Sequence, residues 1–268
     1  MRILFLGDVV GQSGCNAIKK NLQHIIRDEK IDFTIVNGEN AADNGVGITQ
    51  NILDELLSCG VDVVTSGNHI WDHKETYEFI KNQKKILRPL NMDKKLPGNG
   101  FTILNSQKGL KIGILNLMGN VFMKKCDDIF IVLKNFLANN SLKINYDFLV
   151  VDVHGEITSE KMAVGHFLDG KATLVVGTHT HVPTNDARIL SGGTGYLTDA
   201  GMCGDYDSVI GMDKNNSINR FLKENSTKHF PSNGEASISG VIIDACKETG
   251  LTKKIKSFIS GGVLKNTN

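Results

Sequence analysis

The sequence is short of cysteine, of long apolar runs and of net charge, and each shortage excludes a class of protein. Five scattered cysteines among 268 residues form no Cys-x-x-Cys pair, which is typical of a reduced, cytoplasmic protein rather than a disulfide scaffold. No stretch approaches the roughly 20 apolar residues that cross a bilayer. Thirty basic and 29 acidic residues leave a formal charge of +1, so no global field favours nucleic acid or a membrane surface as partner.

The first two thirds of the chain alternate short apolar runs with helical patterns, which is typical of an α/β domain. The strands are predicted over 2–6, 33–36, 61–65, 148–153 and 173–176, with a hairpin over 101–104 and 111–117. Helices are predicted over 74–82, 129–137 and 160–168 and after Ser13 and Thr49, whose side chains can cap a helix N-terminus.

After residue 185 the pattern changes. Strands over 188–190, 196–198, 239–245 and 254–258 follow one another with little helix between them, which predicts a second, more antiparallel sheet. Nothing resembles a linker, so residues 1–260 are expected to form a single domain. The tail 261–268 is expected to fray.

Two histidines follow the strand predicted at 173–176. The string Gly-Thr-His-Thr-His at 177–181 places His179 and His181 two residues apart. Side chains at positions i and i+2 of an extended segment point the same way, so the two imidazoles can face one metal ion. A single pair of this kind is as often structural, and the other strand ends therefore decide its meaning.

Polar residues with metal-ligand chemistry end four further strands, usually beside glycine. They are Asp8, Glu39 with Asn40, Asn68 with His69, and His154. In open α/β sheets, ligands bind outside the carboxyl ends of the strands. Carboxylates, amides and imidazoles in such number exceed the needs of one ion and suit two divalent ions that share a carboxylate.

These strand-end motifs resemble those of the calcineurin-like metallophosphoesterases. The blocks Gly7-Asp8, Gly67-Asn68-His69, His154 and Thr178-His179-Thr180-His181 have the order of that superfamily. The usual opening Asp-x-His is absent, because Val9 and Val10 follow Asp8, and Gly38-Glu39-Asn40 stands in place of the usual Gly-Asp block. Both departures, and the segments 37–42, 67–72, 152–156 and 198–204, resemble one subgroup, the bacterial YmdB-like phosphodiesterases.

The resemblance implies an α/β/β/α sandwich of two sheets and a dinuclear metal site, with iron favoured and manganese as the alternative. One ion would be held by Asp8, Glu39, Asn40 and His181, and the other by Glu39, Asn68, His154 and His179. Glu39 would bridge them. The implied reaction is attack of metal-bound hydroxide on a small nucleotide phosphodiester, while His69 protonates the leaving oxygen.

The implied substrates are 2′,3′-cyclic nucleotides, with 3′,5′-cyclic nucleotides as a further option. The metal ligands do not distinguish this activity from that of a phosphomonoesterase or protein phosphatase. A regulatory protein that senses a nucleotide is the alternative from another functional class. The sequence carries no strong signal of nucleic-acid binding, and it is compatible with assembly into a homo-oligomer.

Overall fold

The computed structural model describes residues 1–224 and 228–267. The strands in these ranges are β1 (Arg2–Leu6), β2 (Asp8–Val9), β3 (Phe33–Asn37), β4 (Val63–Thr65), β5 (Phe101–Asn105), β6 (Lys111–Met118), β7 (Phe148–His154), β8 (Leu174–Thr178), β9 (Arg188–Ile189), β10 (Gly195–Leu197), β11 (Met202–Asp205), β12 (Ala236–Ala245) and β13 (Thr252–Ser260). The α-helices are α1 (Gly11–Asp28), α2 (Gln50–Ser58), α3 (Thr76–Phe79), α4 (Ile129–Asn139), α5 (Thr158–Phe167) and α6 (Lys214–Leu222), and a 3₁₀ turn covers Ile80–Asn82.

The strands form two sheets. The first has the order β2-β11-β12-β1-β3-β4, with β13 paired to β12, and the second has the order β5-β6-β7-β8-β10-β9. Strands β1, β3 and β4 run parallel in the first sheet, and β6, β7, β8 and β10 run parallel in the second. Two sets of carboxyl strand ends are therefore available to build a site.

Three apolar layers hold the sheets and helices together. Between the sheets, side chains such as Phe5 and Ile35 of the first sheet pack with Ile114 and Val150 of the second. The apolar sides of α1 and α2 cover the outer face of the first sheet, and those of α4 and α5 cover the outer face of the second. This arrangement confirms the predicted α/β/β/α sandwich.

The late strands do not form a sheet of their own, and that prediction is wrong. Strands β9 and β10 extend the second sheet, whereas β11, β12 and β13 belong to the first. Strand β12 runs antiparallel between β1 and β11, a return across the fold that local hydrophobic patterning does not encode. The apolar runs located the late strands but not their partners.

Of the two helix starts predicted from capping residues, one is confirmed. Thr49 accepts a hydrogen bond from the backbone N–H of Ile52 and caps α2. Helix α1 begins earlier, at Gly11, and the Ser13 hydroxyl instead donates to the carbonyl of Gly234 at 2.6 Å.

Within the described ranges, no helix combines the length and apolar character needed to cross a membrane. All five cysteines are free thiols. The backbone N–H of Thr267, in the segment expected to fray, donates to the carbonyl of Ile259 at 3.1 Å.

Candidate metal centre

The carboxyl strand ends of the two sheets meet at one edge of the sandwich. Oε2 of Glu39, just after β3 of the first sheet, lies 3.0 Å from Nε2 of His154, the last residue of β7 in the second. Nδ1 of His179, just after β8, lies 3.0 Å from the same nitrogen. The side chains of Glu39, His154 and His179 thus form a group able to hold a metal ion.

A second set of side chains surrounds Asp8, just after β1. Nε2 of His181 lies 3.8 Å from Oδ1 of Asp8 and 3.3 Å from Oδ1 of Asn40. The Asn40 amide is oriented, because its Nδ2 donates to the carbonyl of Gly45 at 2.7 Å, and its oxygen therefore faces His181. These residues and the Glu39 group give two candidate half-sites that adjoin each other.

Asn68, which follows β4, presents a buried Oδ1 that has no hydrogen-bond partner among the described residues. Gly67, the preceding residue, gives space to the site. A Cβ atom at Gly67 would overlap Oε2 of Glu39 and Nε2 of His154. The absence of a side chain here keeps open the volume in which an ion would lie.

A chain of hydrogen bonds determines which ring nitrogen of His154 carries the proton. The Thr178 hydroxyl donates to Oδ1 of Asp152 at 2.7 Å and lies 2.9 Å from Nδ1 of His154. Because a carboxylate only accepts, Thr178 uses its proton on Asp152 and accepts from His154. The lone pair of His154 is then on Nε2, which faces the site, as partners of metal-bound histidines arrange it. Asp152 thus acts through Thr178 rather than directly.

The other two histidines are oriented in the same manner. Nδ1 of His181 donates to the carbonyl of Ile210 at 2.8 Å, which leaves the Nε2 lone pair towards Asp8. Nε2 of His179 lies 3.2 Å from Oε2 of Glu156, and a carboxylate at this distance favours the tautomer with the proton on Nε2 and the Nδ1 lone pair towards His154. Glu156 therefore orients His179.

The backbone that delivers His179 and His181 is not extended, and the alternation argument for this pair is wrong. Strand β8 ends at Thr178, and φ is 96° at His179 and 64° at His181. Positive φ is uncommon outside glycine. The left-handed turns send the two imidazoles into different halves of the cluster instead of towards one point.

The chemistry of the cluster fits bound cations. Lone pairs on Nδ1 of His179 and Nε2 of His154 face each other across 3.0 Å, a contact that is repulsive unless a cation lies between them. Nitrogen ligands about 2.1 Å from one ion would stand at such a separation. Buried carboxylate oxygens Asp8 Oδ1, Glu39 Oε1 and Glu39 Oε2 also have no hydrogen-bond partner among the described residues, and cations would satisfy them.

Electrostatics favour the same conclusion. Burial raises the pKa of Asp8 to about 7 and that of Glu39 to about 7. Burial also lowers the pKa of His154 to about 4, that of His179 to about 3, and that of His181. A divalent ion would offset the burial of the two carboxylates by stabilising their charged form, and it would bind the neutral imidazoles that burial already favours.

His69 lies at the exposed rim of the cluster. Its Nδ1 is 2.6 Å from Oδ2 of Asp72, and about a third of each side chain is exposed. Lys124 lies next to the pair, 3.6 Å from Oδ1 of Asp72 through Nζ, and donates to the carbonyl of Asn68 at 2.7 Å. The ring is oriented through Nδ1, and its Nε2 is available to a substrate.

The structure brings the predicted ligand residues close together, among them Glu39, His154 and His179, and it adds several orienting residues that the sequence motifs did not predict. Asp72 and Asp199 lie within the motif segments without a role assigned to them, and Lys124, Lys161 and Thr178 are not predicted as orienting residues. Asp72 has a readable signal, its place three residues after His69 on a turn. Lys161 has none, because a lysine in a helical pattern is ordinarily on the exposed face.

Comparisons with known proteins identify the family of the chain. A sequence profile of the YmdB-like protein family matches residues 4–258. The chain is 41% identical over 259 residues to the 2′,3′-cyclic-nucleotide 2′-phosphodiesterase of Bacillus subtilis, covering 97% of both chains. It is 38% identical over 265 residues to a putative phosphatase/phosphodiesterase of Mycoplasma genitalium, covering 96% of this chain and 92% of that one.

Two crystal structures share the fold at substantial identity. A hypothetical protein from Thermus thermophilus superposes with a TM-score of 0.90 at 39% identity, over 98% of this chain and all (100%) of that one. A phosphatase from Mycoplasma pneumoniae superposes with a TM-score of 0.89 at 36% identity, over 97% and 93% of the two chains. The strand-end motifs, the two-sheet fold and these matches together show that the chain belongs to the YmdB-like family of phosphoesterases.

Proposed function

We propose that this protein is a dinuclear-metal phosphodiesterase that hydrolyses 2′,3′-cyclic nucleotides, with 3′,5′-cyclic nucleotides as alternative substrates. The observation that carries the proposal is the set of buried oxygens of Asp8, Glu39 and Asn68 without hydrogen-bond partners among the described residues. This set adjoins three oriented histidine lone pairs and an exposed histidine–aspartate pair. The similarity to the Bacillus subtilis 2′,3′-cyclic-nucleotide 2′-phosphodiesterase supports the substrate class.

The two candidate half-sites are assigned to two ions. Asp8, Glu39, Asn40 and His181 would hold one, and Glu39, Asn68, His154 and His179 the other. Divalent ions there, iron by preference and manganese as the alternative, would supply Lewis acidity towards the phosphoryl oxygens and the attacking water.

His69 has the proton-transfer role. As water bonds to phosphorus, the bond from phosphorus to the ribose 2′ oxygen breaks, and that oxygen takes the proton from Nε2 of His69 to leave a 3′-phosphate. The water gives up one of its protons to the solvent, and a proton from the solvent restores the imidazolium of His69 for the next turnover. Asp72, 2.6 Å from Nδ1, stabilises the imidazolium that must be present before the transfer. Since a ribose alkoxide is a poor leaving group, general-acid help of this kind contributes roughly 10²–10⁴-fold to the rate.

The test is hydrolysis of 2′,3′-cyclic AMP by protein loaded separately with iron and with manganese. We expect turnover to adenosine 3′-phosphate, and we expect Asn68→Ala to lose it because a candidate ligand is removed. Wild-type protein with bound metal that shows no diesterase turnover, or an Asn68→Ala variant that matches wild type, would overturn the proposal.

The second candidate function is phosphomonoester hydrolysis at the same site. It is favoured by the similarity to a crystallised phosphatase of Mycoplasma pneumoniae. Comparing p-nitrophenyl phosphate with methyl p-nitrophenyl phosphate decides between them, because both release the same leaving group. The proposal requires the higher kcat/KM for the diester.

We further propose the size of the substrate, the cellular compartment of the reaction and the assembly of the protein. The substrate is a small nucleotide rather than a nucleic-acid polymer, in keeping with the formal charge of +1. We place the reaction in the cytoplasm, on the basis of cysteine usage. A homo-oligomeric assembly is compatible with this function.

A further inference from the structure

A short loop after β6 crosses the rim of the metal centre, and we call residues 119–124 the rim loop. The loop is anchored beside a candidate ligand at each end. At its start, the backbone N–H of Gly119 donates to the carbonyl of His154 at 2.9 Å. At its end, Nζ of Lys124 donates to the carbonyl of Asn68 at 2.7 Å. The rim loop therefore spans the half of the site that contains His154 and Asn68.

Further contacts fix the shape of the rim loop. The backbone N–H of Asn120 donates to Oε1 of Glu160 at 2.9 Å, and the Asn120 side chain accepts from the backbone N–H of Ile129 at 2.9 Å. Met123 packs against the core of the first sheet. The residues between these anchors consequently have a defined position in a loop that begins and ends beside candidate ligands.

Phe122 lies within this anchored loop and is 85% exposed. It joins none of the apolar clusters formed by the described residues. Its φ is +60°, a backbone region that is a genuine outlier for a bulky residue. An exposed aromatic ring in a strained conformation, on a loop anchored to the backbone of two candidate ligands, calls for a functional explanation.

The leaving group of the proposed reaction extends towards the rim loop. The oxygen that takes the proton from His69 remains attached to the ribose and its base, so the nucleoside lies on the His69 side of the phosphorus. On that side, Lys124 is 3.6 Å from Oδ1 of Asp72, the carboxylate that orients His69. Phe122 is two residues before Lys124 on the same loop.

We propose that Phe122 is the stacking platform for the base of the nucleotide substrate. The inference rests on the proposed function for its substrate class and adds a base subsite to the rim loop. Stacking on an aromatic ring tolerates any base, because every base has a π-face. The subsite would therefore select nucleotides over base-free cyclic phosphodiesters without selecting one base strongly.

The experiment compares two five-membered cyclic diesters, 2′,3′-cyclic AMP and the base-free glycerol 1,2-cyclic phosphate. We expect Phe122→Ala to raise KM for the nucleotide roughly tenfold to a hundredfold, with kcat unchanged because ground-state and transition-state stacking are lost together. KM for glycerol 1,2-cyclic phosphate should not change. Phe122→Tyr, which keeps the ring, should behave as wild type with both esters.

Phe221 provides a matched control. It is 83% exposed on α6 and lines the same cavity as Ile210. The carbonyl of Ile210 contacts His181 rather than His69. We expect Phe221→Ala to leave both KM values unchanged. An unchanged KM in Phe122→Ala, an equal rise with both esters, or a nucleotide-selective rise in Phe221→Ala instead would each overturn the inference.

A binding measurement separates this inference from the proposed function. In a Trp71→Phe background, which removes the native tryptophan, Phe122→Trp should show fluorescence quenching when adenosine 3′-phosphate is added, whereas Phe221→Trp should not. If wild-type protein hydrolyses neither ester, the proposed function fails, and quenching in Phe122→Trp alone would still support the base subsite. Absence of quenching in Phe122→Trp would overturn the subsite, whatever the turnover.

Discussion

Lys161 donates a hydrogen bond of 2.7 Å from Nζ to Oδ2 of Asp199, and each side chain is only 1% exposed. The same carboxylate oxygen accepts from the backbone N–H and the hydroxyl of Thr180, at 3.2 and 2.7 Å. Thr180 stands between His179 and His181. The buried pair therefore fixes the turn that presents both histidines in their left-handed conformations.

Asp199→Asn is expected to destabilise the protein strongly, because it leaves the buried Lys161 cation without a carboxylate. Removing one partner of a buried pair costs about 3–5 kcal/mol in the free energy of unfolding. Lys161→Met should cost less, since Asp199 keeps donors from Thr180 and from the backbone N–H of Gly201. Urea unfolding of both variants and of the double variant measures the coupling. Equal stability of Asp199→Asn and wild type would contradict this role.

His69→Ala should lower kcat by roughly 10²–10⁴-fold with 2′,3′-cyclic AMP. The loss should be much smaller with methyl p-nitrophenyl phosphate, because p-nitrophenolate leaves without a proton. Asp72→Asn keeps the imidazole but removes its carboxylate partner. It should also lower kcat more with 2′,3′-cyclic AMP than with methyl p-nitrophenyl phosphate, but by less than His69→Ala does. Equal losses with both substrates would show that His69 does not act as the general acid.

Gly67→Ala should empty the half-site that contains His154, because the added methyl group would occupy the space between Glu39 and His154. The measurement is metal content together with far-ultraviolet circular dichroism, which checks that the variant is folded. Gly109→Ala is a control for added side-chain volume, since nothing lies within 4 Å of a Cβ there, although its positive φ will reduce stability slightly. A folded Gly67→Ala variant with full metal content would contradict the assignment.

Chelation should lower the melting temperature. An ion present at a hundred times its Kd stabilises the native state by about 2.7 kcal/mol, which corresponds to about 5–10 °C in a chain of this size. The double variant His179→Ala/His181→Ala, with a ligand removed from each half-site, should show little response to the chelator. An unchanged wild-type melting curve, with metal loss confirmed by elemental analysis, would count against an occupied dinuclear site.

The sequence predicted the strands and the polar residues at their carboxyl ends, because both are local features. Phe148–His154 is apolar almost throughout and ends on His154, and such a strand has few alternatives to a buried position between parallel neighbours. The sheet to which β12 belongs could not be predicted, since its partners β1 and β11 are remote in the chain.

The orientation of the side chains in the site also depends on contacts between residues that are remote in the chain. The left-handed turns at His179 and His181 are imposed by contacts to Asp199, which is distant from α5 and its Lys161 in sequence. Exposure of Phe122 also cannot be derived from local pattern, because the residue lies in an apolar stretch, Leu117–Met123 with few polar residues, that would serve equally well in a core. Only the hydrogen bonds that anchor the rim loop determine that the ring of Phe122 faces solvent.

The proposed function places two metal ions at the carboxyl ends of the strands of the two sheets, and elemental analysis of protein purified without oxygen measures how many are bound. We expect about two metal ions per chain in wild type and about one in each of His179→Ala and His181→Ala, because each variant loses a ligand of a different half-site. A single ion per chain in wild type, or full metal content in both variants, would contradict it.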